Sequence, residues 1–272
     1  MTRFSKGCAL DRGRHRYTAL RIARARGIIS STNVASFDLE KYAPPVMDQT
    51  EFSCCEGTSS SGAIATRFAA KGTPLGWIPS QNGLYVPARA FDRAAQYPDS
   101  EELPALQDVG TETNSVLRVI SEVGISPMGL SPDGLFCDVT KANVNTEPDL
   151  GQLESDGASL IIGAYEIRSS GAQKLQDIKD CIASGVPVRV DSFVDMGFEE
   201  WTPRRPPVGV PDYSDPQGGG HALYAIGFSG TTVVVRNSWG AGWGDGGNVL
   251  VSAAWIAQCD AFAWDVQKEL AA

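Results

Sequence analysis

Histidine is nearly absent from this chain. Its 272 residues contain only His15 and His221, so any proton transfer or metal ligation through imidazole must use these two positions. Cysteine is sparse as well, limited to Cys8, Cys54, Cys55, Cys137, Cys181 and Cys259, with no C-x-x-C pair. A structural zinc site wants four ligands, commonly in paired spacings, and a disulfide framework wants a denser count. The sequence therefore predicts no metal, no cofactor and mostly reduced thiols. Cys137, Cys181 and Cys259 read as small buried hydrophobes. Long apolar runs are missing too. The best, Leu160–Ala164, stops at Tyr165 and Glu166, far short of the ~18 residues of a membrane helix. The start lacks the continuous apolar stretch of a secretory leader, so the expectation is a reducing, cytoplasmic-type compartment.

Positive charge is scarce overall. The net charge is −9, which disfavours a nucleic-acid partner because phosphate contacts need clustered Lys and Arg. What basic charge there is sits at the front. Residues 1–30 hold eight Arg or Lys against the single acid Asp11, a local +7, so the remainder carries 15 basic against 31 acidic residues, −16. Residues 1–36 read as a basic arm, either solvated or docked on the chain's own acidic body or on an anionic partner. An Arg-rich, acid-poor start is also similar to an organelle transit peptide.

What remains is a globular composition, 42% hydrophobic and 20% charged, with enough chain to bury a core. Residues 37–48 form an extended approach interrupted by Pro44 and Pro45. A polar, small-residue stretch from Gln49 to Ser59 follows, then a helix through Ala63–Ala70 stopped by Gly72. Further helices are expected over 83–97, 112–123 and 172–184, and strands over 186–190, 222–228, 231–236 and 248–252. The first half is mainly helical and the second mainly strand. A Pro/Gly-rich loop, 202–220, delivers the chain to His221.

Cys54 and Cys55 thus fall at or just before a helix N-terminus, where backbone N–H groups and the helix dipole stabilise a thiolate. A cysteine there, a histidine on a distant strand and a polar residue to hold the imidazole make a nucleophilic site, and Cys55, His221 and Asn237 occur in that order. Gln49 with Cys55 six residues on, GGH at 219–221 and NSWGAGWGDGG at 237–247 together resemble the signatures of the papain family of cysteine peptidases. The resemblance spans about 37–265 and is most similar to the shorter bacterial and phage-type members.

The resemblance implies an α+β, two-lobed papain-like fold. A helical lobe (37–150) would carry the nucleophile and a strand-rich, barrel-like lobe (151–272) the His and Asn, with the active-site cleft between them. It implies Cys55 as nucleophile, His221 as general base and then acid, Asn237 holding the ring and Trp239 shielding that bond. Gln49 would donate to the oxyanion with the backbone N–H of Cys55, and a polypeptide would be the substrate. Gly110 and Thr111 resemble the wall that pairs with an extended substrate, with Gly220 beside the base; Asp108 reads as a cleft acid or a loop residue. Some positions depart from the family pattern. Glu56 and Thr58 stand where aromatics are usual, and Glu56 should raise the cysteine pKa unless its side chain points away or caps the helix. Phe52 replaces a disulfide cysteine. Cys54 reads as a small spacer, the alternatives being a vicinal disulfide or a role as the nucleophile itself. Two rival functions stand beside peptide hydrolysis: a cell-wall amidase or transpeptidase with the same residues, and an inactive binding module.

Overall fold

A computed structural model of the chain describes residues 8–9, 18–129, 136–156 and 160–268. The first half forms β1 (Cys8–Ala9), β2 (Thr18–Ala19), α1 (Leu20–Ala25), β3 (Ser36–Asp38), α2 (Cys55–Ala70), α3 (Gln81–Gln96), β4 (Thr111–Glu112) and α4 (Thr113–Glu122). The second adds α5 (Leu150–Asp156), β5 (Leu160–Glu166), α6 (Gly171–Ala183), β6 (Val188–Val194), α7 (Met196–Glu199) and β7 (Gly219–Ser229). It closes with β8 (Thr232–Arg236), β9 (Asn248–Val251), α8 (Ala253–Ile256) and β10 (Asp260–Lys268). Among the described residues no helix is long and apolar enough to cross a membrane.

Two cores organise these elements. Ile64, Phe68, Leu84, Val116 and Ile120 join α2, α3 and α4 into a helical lobe. Val188, Val190, Leu223, Ile226, Val233 and Val235 fill the strand-rich lobe. Its sheet runs β2-β5-β10-β6-β7-β8-β9, with β3 also on β7, and no ladder joins β2 to β9 among the described residues. Within that sheet His221 lies opposite Ser192, and Ala222 opposite Asp191.

The segment that carries Cys55 is helical over a longer span than its apolar pattern predicts, beginning at Cys55 itself. Small polar residues tolerate this burial because their hydroxyls bond back along the helix. Ser59 donates to the Cys55 carbonyl at 2.5 Å and Thr66 to the Gly62 carbonyl at 2.7 Å. Two glycines set how closely α2 is gripped. A Cβ at Gly57 would lie 2.7 Å from the Gln81 carbonyl, and one at Gly62 would lie 2.6 Å from the Tyr224 hydroxyl. The helix is therefore wedged between α3 of its own lobe and β7 of the other, with almost no freedom to shift.

The N-terminal region does not behave as one arm. Thr18 and Ala19 pair in parallel with Tyr165 and Glu166, and Phe37 pairs with Phe228. Arg24 bridges Asp177 at 2.7 Å and Asp180 at 2.6 Å on α6. β2, α1 and β3 thus pack with the strand-rich lobe, and the break expected at 36/37 falls inside β3. His15 lies outside the described residues.

Candidate active site

Cys55 is the first residue of α2, where backbone N–H groups have no partner within the helix. Its side chain is buried and packs on Ala222, the residue after His221 on β7. The two lobes meet at this contact. Cys54, although adjacent, faces the other way into the helical lobe with Phe52, Tyr85, Val86 and Cys137. Burial pushes the Cys54 thiol well above its ordinary pKa, whereas the hydrogen bond with Cys54 brings the Cys137 thiol down. Neither Cys54 nor Cys55 is in a disulfide, so no vicinal bridge joins them.

The imidazole is fixed by a chain of donors. His221 Nε2 lies 2.8 Å from Asn237 Oδ1, and the same oxygen accepts the Ser238 backbone N–H at 2.8 Å. Only an oxygen can accept from that N–H, which settles the orientation of the Asn237 amide. In the neutral ring Nε2 therefore carries the hydrogen and Nδ1 is the proton acceptor. Trp239 stacks on the ring at 4.7 Å between centroids, and Phe198 and Trp243 pack on Trp239 edge to face. This aromatic block keeps water from the His221–Asn237 bond.

Gln49 is buried where the chain approaches α2. Its backbone N–H donates to the Ser238 carbonyl at 2.8 Å, its Nε2 donates to the Phe52 carbonyl at 2.8 Å, and its Oε1 accepts from Ser238 Oγ at 2.5 Å. An amide nitrogen has two hydrogens, and Phe52 engages one of them. Ser238 thus ties together the residue that holds the histidine and the segment that carries Gln49. In the sequence Ser238 is one letter of the NSWG run, with nothing to mark this role.

Glu56 does not face the thiol. It is fully buried, accepts from Arg189 Nη2 at 2.8 Å and contacts Thr113 Oγ1 at 2.8 Å. Its charge is matched by a guanidinium within the protein, which answers the concern raised by its place in the sequence. Thr58 is buried and bonds to the Cys54 carbonyl and Gln81. Arg189 carries no signal in the sequence, because with Asp191 it alternates with apolar residues as the exposed face of a strand does.

The other sequence-predicted residues take the following places. Gly110 has φ +86 and donates its N–H to Tyr85 Oη at 3.1 Å. Tyr85 Oη donates to Asp108 at 2.6 Å, and Asp108 accepts the Ser53 N–H at 3.1 Å. Asp108 is therefore a brace between the turn before α2 and the Gly110 wall. Thr111 heads β4, on which Cys8 and Ala9 of β1 lie in parallel register, Cys8 opposite Thr111. β1 also packs beside β7. Gly220 sits on β7 opposite Phe193.

The architecture is the papain-like cysteine protease fold. The chain matches xylellain, a cysteine protease from Xylella fastidiosa, with a TM-score of 0.67 and 20% identity over 97% of both chains. It matches procathepsin B S9 from Trypanosoma congolense with a TM-score of 0.62 and 17% identity, covering 97% of this chain and 87% of that one. A digestive procathepsin L2 from Tenebrio molitor gives a TM-score of 0.62 and 20% identity over 97% and 79% of the two chains. No family model and no curated protein sequence matches this chain.

Proposed function

We propose that this chain is a cysteine peptidase that hydrolyses peptide bonds through a thioester on Cys55. The observation carrying the reading is the meeting of Cys55, at a helix start, with the strand where Asn237 and Trp239 hold His221. The imidazole takes the thiol proton at Nδ1, and the resulting ion pair is mutually stabilising beside the helix N-terminus. Attack on the carbonyl carbon forms a tetrahedral oxyanion, which receives hydrogen bonds from the Cys55 backbone N–H and the Gln49 amide. The imidazolium then protonates the leaving amine, and water, activated by the same nitrogen, cleaves the thioester. Labelling by an epoxide-type thiol probe, mapped by mass spectrometry, tests this directly. Modification at Cys55 that is lost in Cys55→Ala is expected, and a reactive thiol elsewhere would refute it. Casein cleavage compared with peptidoglycan turnover separates a peptidase from a cell-wall amidase, and absence of labelling would mark a binding module.

Gln49→Ala is expected to lower kcat by roughly a hundredfold with little change in KM, because an oxyanion donor acts mainly in the transition state. Steady-state kinetics on a fluorogenic peptide measures it; an effect confined to KM would remove Gln49 from the oxyanion site.

The same reading extends to the first residues. β1 occupies the Thr111 edge that an extended substrate would use, and Cys55 and His221 are fully buried. The arm up to residue 17 would then restrain activity, held by its positive charge on an acidic body. Deleting residues 2–17 should raise kcat/KM several-fold, with the gain shrinking as salt rises. Deleting 2–36 should instead destabilise the fold, since it removes β2, α1 and the Arg24 ion pairs. Equal activity of the 2–17 deletion and the full chain at low salt would discard the restraint. The match to xylellain over almost the whole of both chains supports the short bacterial form of the fold.

A further inference from the structure

Beneath the nucleophile lies a polar cluster that peptide hydrolysis by Cys55 and His221 does not use. Glu56 of α2, Thr113 of α4, and Arg189 and Asp191 of β6 are all buried. Arg189 Nη2 donates to Glu56 at 2.8 Å and to Asp191 at 3.1 Å, Nη1 donates to Ser60 Oγ at 2.5 Å, and Nε donates to the Leu223 carbonyl at 3.2 Å. Thr113 Oγ1 lies 2.8 Å from Glu56 Oε1 and 2.6 Å from Asp191 Oδ2.

A hydroxyl has a single hydrogen, so Thr113 can donate to only one of these two carboxyl oxygens. The other contact is a hydrogen bond only if that carboxyl is itself protonated and donates to Thr113. Charge leads to the same count, because two carboxylates against one guanidinium would leave an unbalanced buried negative charge. Asp191 has the longer bond to Arg189, and Asp260 stands directly across from it on β10. Among the groups around Asp191, Glu56, Asp260 and the Cys259 thiol oppose its ionisation or add no positive charge, and Arg189 is the cation that favours it. Burial first, and then Glu56, push the Asp191 carboxyl up to about 8.

We propose that this cluster holds one proton, on Asp191, relayed through Thr113 to Glu56, and that Thr113 and Asp191 are positioning residues for Cys55. They fix the first turn of α2 to the opposite lobe through the residue after the nucleophile. The proposal takes Cys55 as the nucleophile, but its proton is read from stability and spectroscopy, independently of activity.

The sign of the pH dependence follows. The folded chain keeps a proton that the unfolded chain releases above about pH 4. The contribution of Asp191 to stability is therefore complete below that value and declines as pH rises to about 8, beyond which it is level. Asp191→Asn imitates the protonated acid, with an N–H for Thr113 and an oxygen for Arg189. In denaturant titrations of the full chain, the unfolding constant of the wild type relative to D191N should rise about tenfold per pH unit between pH 5 and 7. It should level off above pH 9. A ratio independent of pH overturns the proton. Should D191N fail to fold, infrared spectra of the wild type decide: a protonated-carboxyl band at pH 7 that disappears above pH 9 supports the proposal, and its absence at pH 7 refutes it. For the positioning role, Thr113→Val should lower kcat about tenfold at unchanged KM, with Thr113→Ser restoring it. A T113V enzyme with wild-type kcat rejects that role.

Discussion

Replacement of Cys55 by alanine is expected to reduce peptide hydrolysis by at least about ten-thousandfold while leaving the fold in place. The size follows from what the sulfur does. On the proposed mechanism its loss removes the acyl-enzyme and leaves His221 and Gln49 able only to assist direct attack by water. The structural cost is small, because the side chain loses one atom at a contact with Ala222. Cys54→Ala is the matched control. Its sulfur packs into the helical lobe against Phe52 and Tyr85, so this change should lower stability modestly and leave the chemistry nearly intact. kcat/KM and melting temperature, measured together on both variants, separate the two cysteines. Retention of activity in C55A with its loss in C54A would reverse the assignment.

The largest effect on stability is expected at Arg189. It is fully buried, and Arg189→Met leaves Glu56 without its cation in the interior. Breaking a buried pair by removing one partner costs about 3–5 kcal/mol, a large share of the ~5–15 kcal/mol that holds a typical domain. The double variant E56L/R189M should recover most of that loss, because an apolar pair of similar volume does not have to be desolvated as ions. Urea titrations at pH 7 measure both. A single variant within about 0.5 kcal/mol of wild type would mean that water or another cation reaches Glu56.

Much of the candidate site was legible through the resemblance of three short segments to papain-family signatures. The six-residue step from Gln49 points to Cys55 over Cys54, and the structure shows why neighbouring cysteines diverge. One ends the loop and faces the helical core, whereas the other opens α2 and faces β7. The expected helices at 83–97, 112–123 and 172–184 correspond to α3, α4 and α6, since each carries an apolar stripe at helical spacing. Elements stabilised by distant partners were not legible. β2 and α1 look like part of a charged tail until Asp177 and Asp180, some 150 positions later, supply the carboxylates for Arg24. β10 is short of continuous apolar character, and its register comes from β5 and β6 on either side. Arg189 and Asp191 alternate as solvent-facing residues of a strand normally do. Glu56, far away in sequence, is what turns that face inward.

The Asn237–Ser238 dipeptide has a consequence for how activity arises during folding. One oxygen of Asn237 orients the imidazole, and Ser238 anchors Gln49 through both backbone and hydroxyl. The proposed acid–base partner and the proposed oxyanion donor are thus aligned by the same few atoms, while the sulfur arrives on a helix clamped by both halves. On the proposed mechanism, a chain whose β8–β9 connection has not yet met the approach to α2 would lack both at once, so reactivity would arrive with the completed fold.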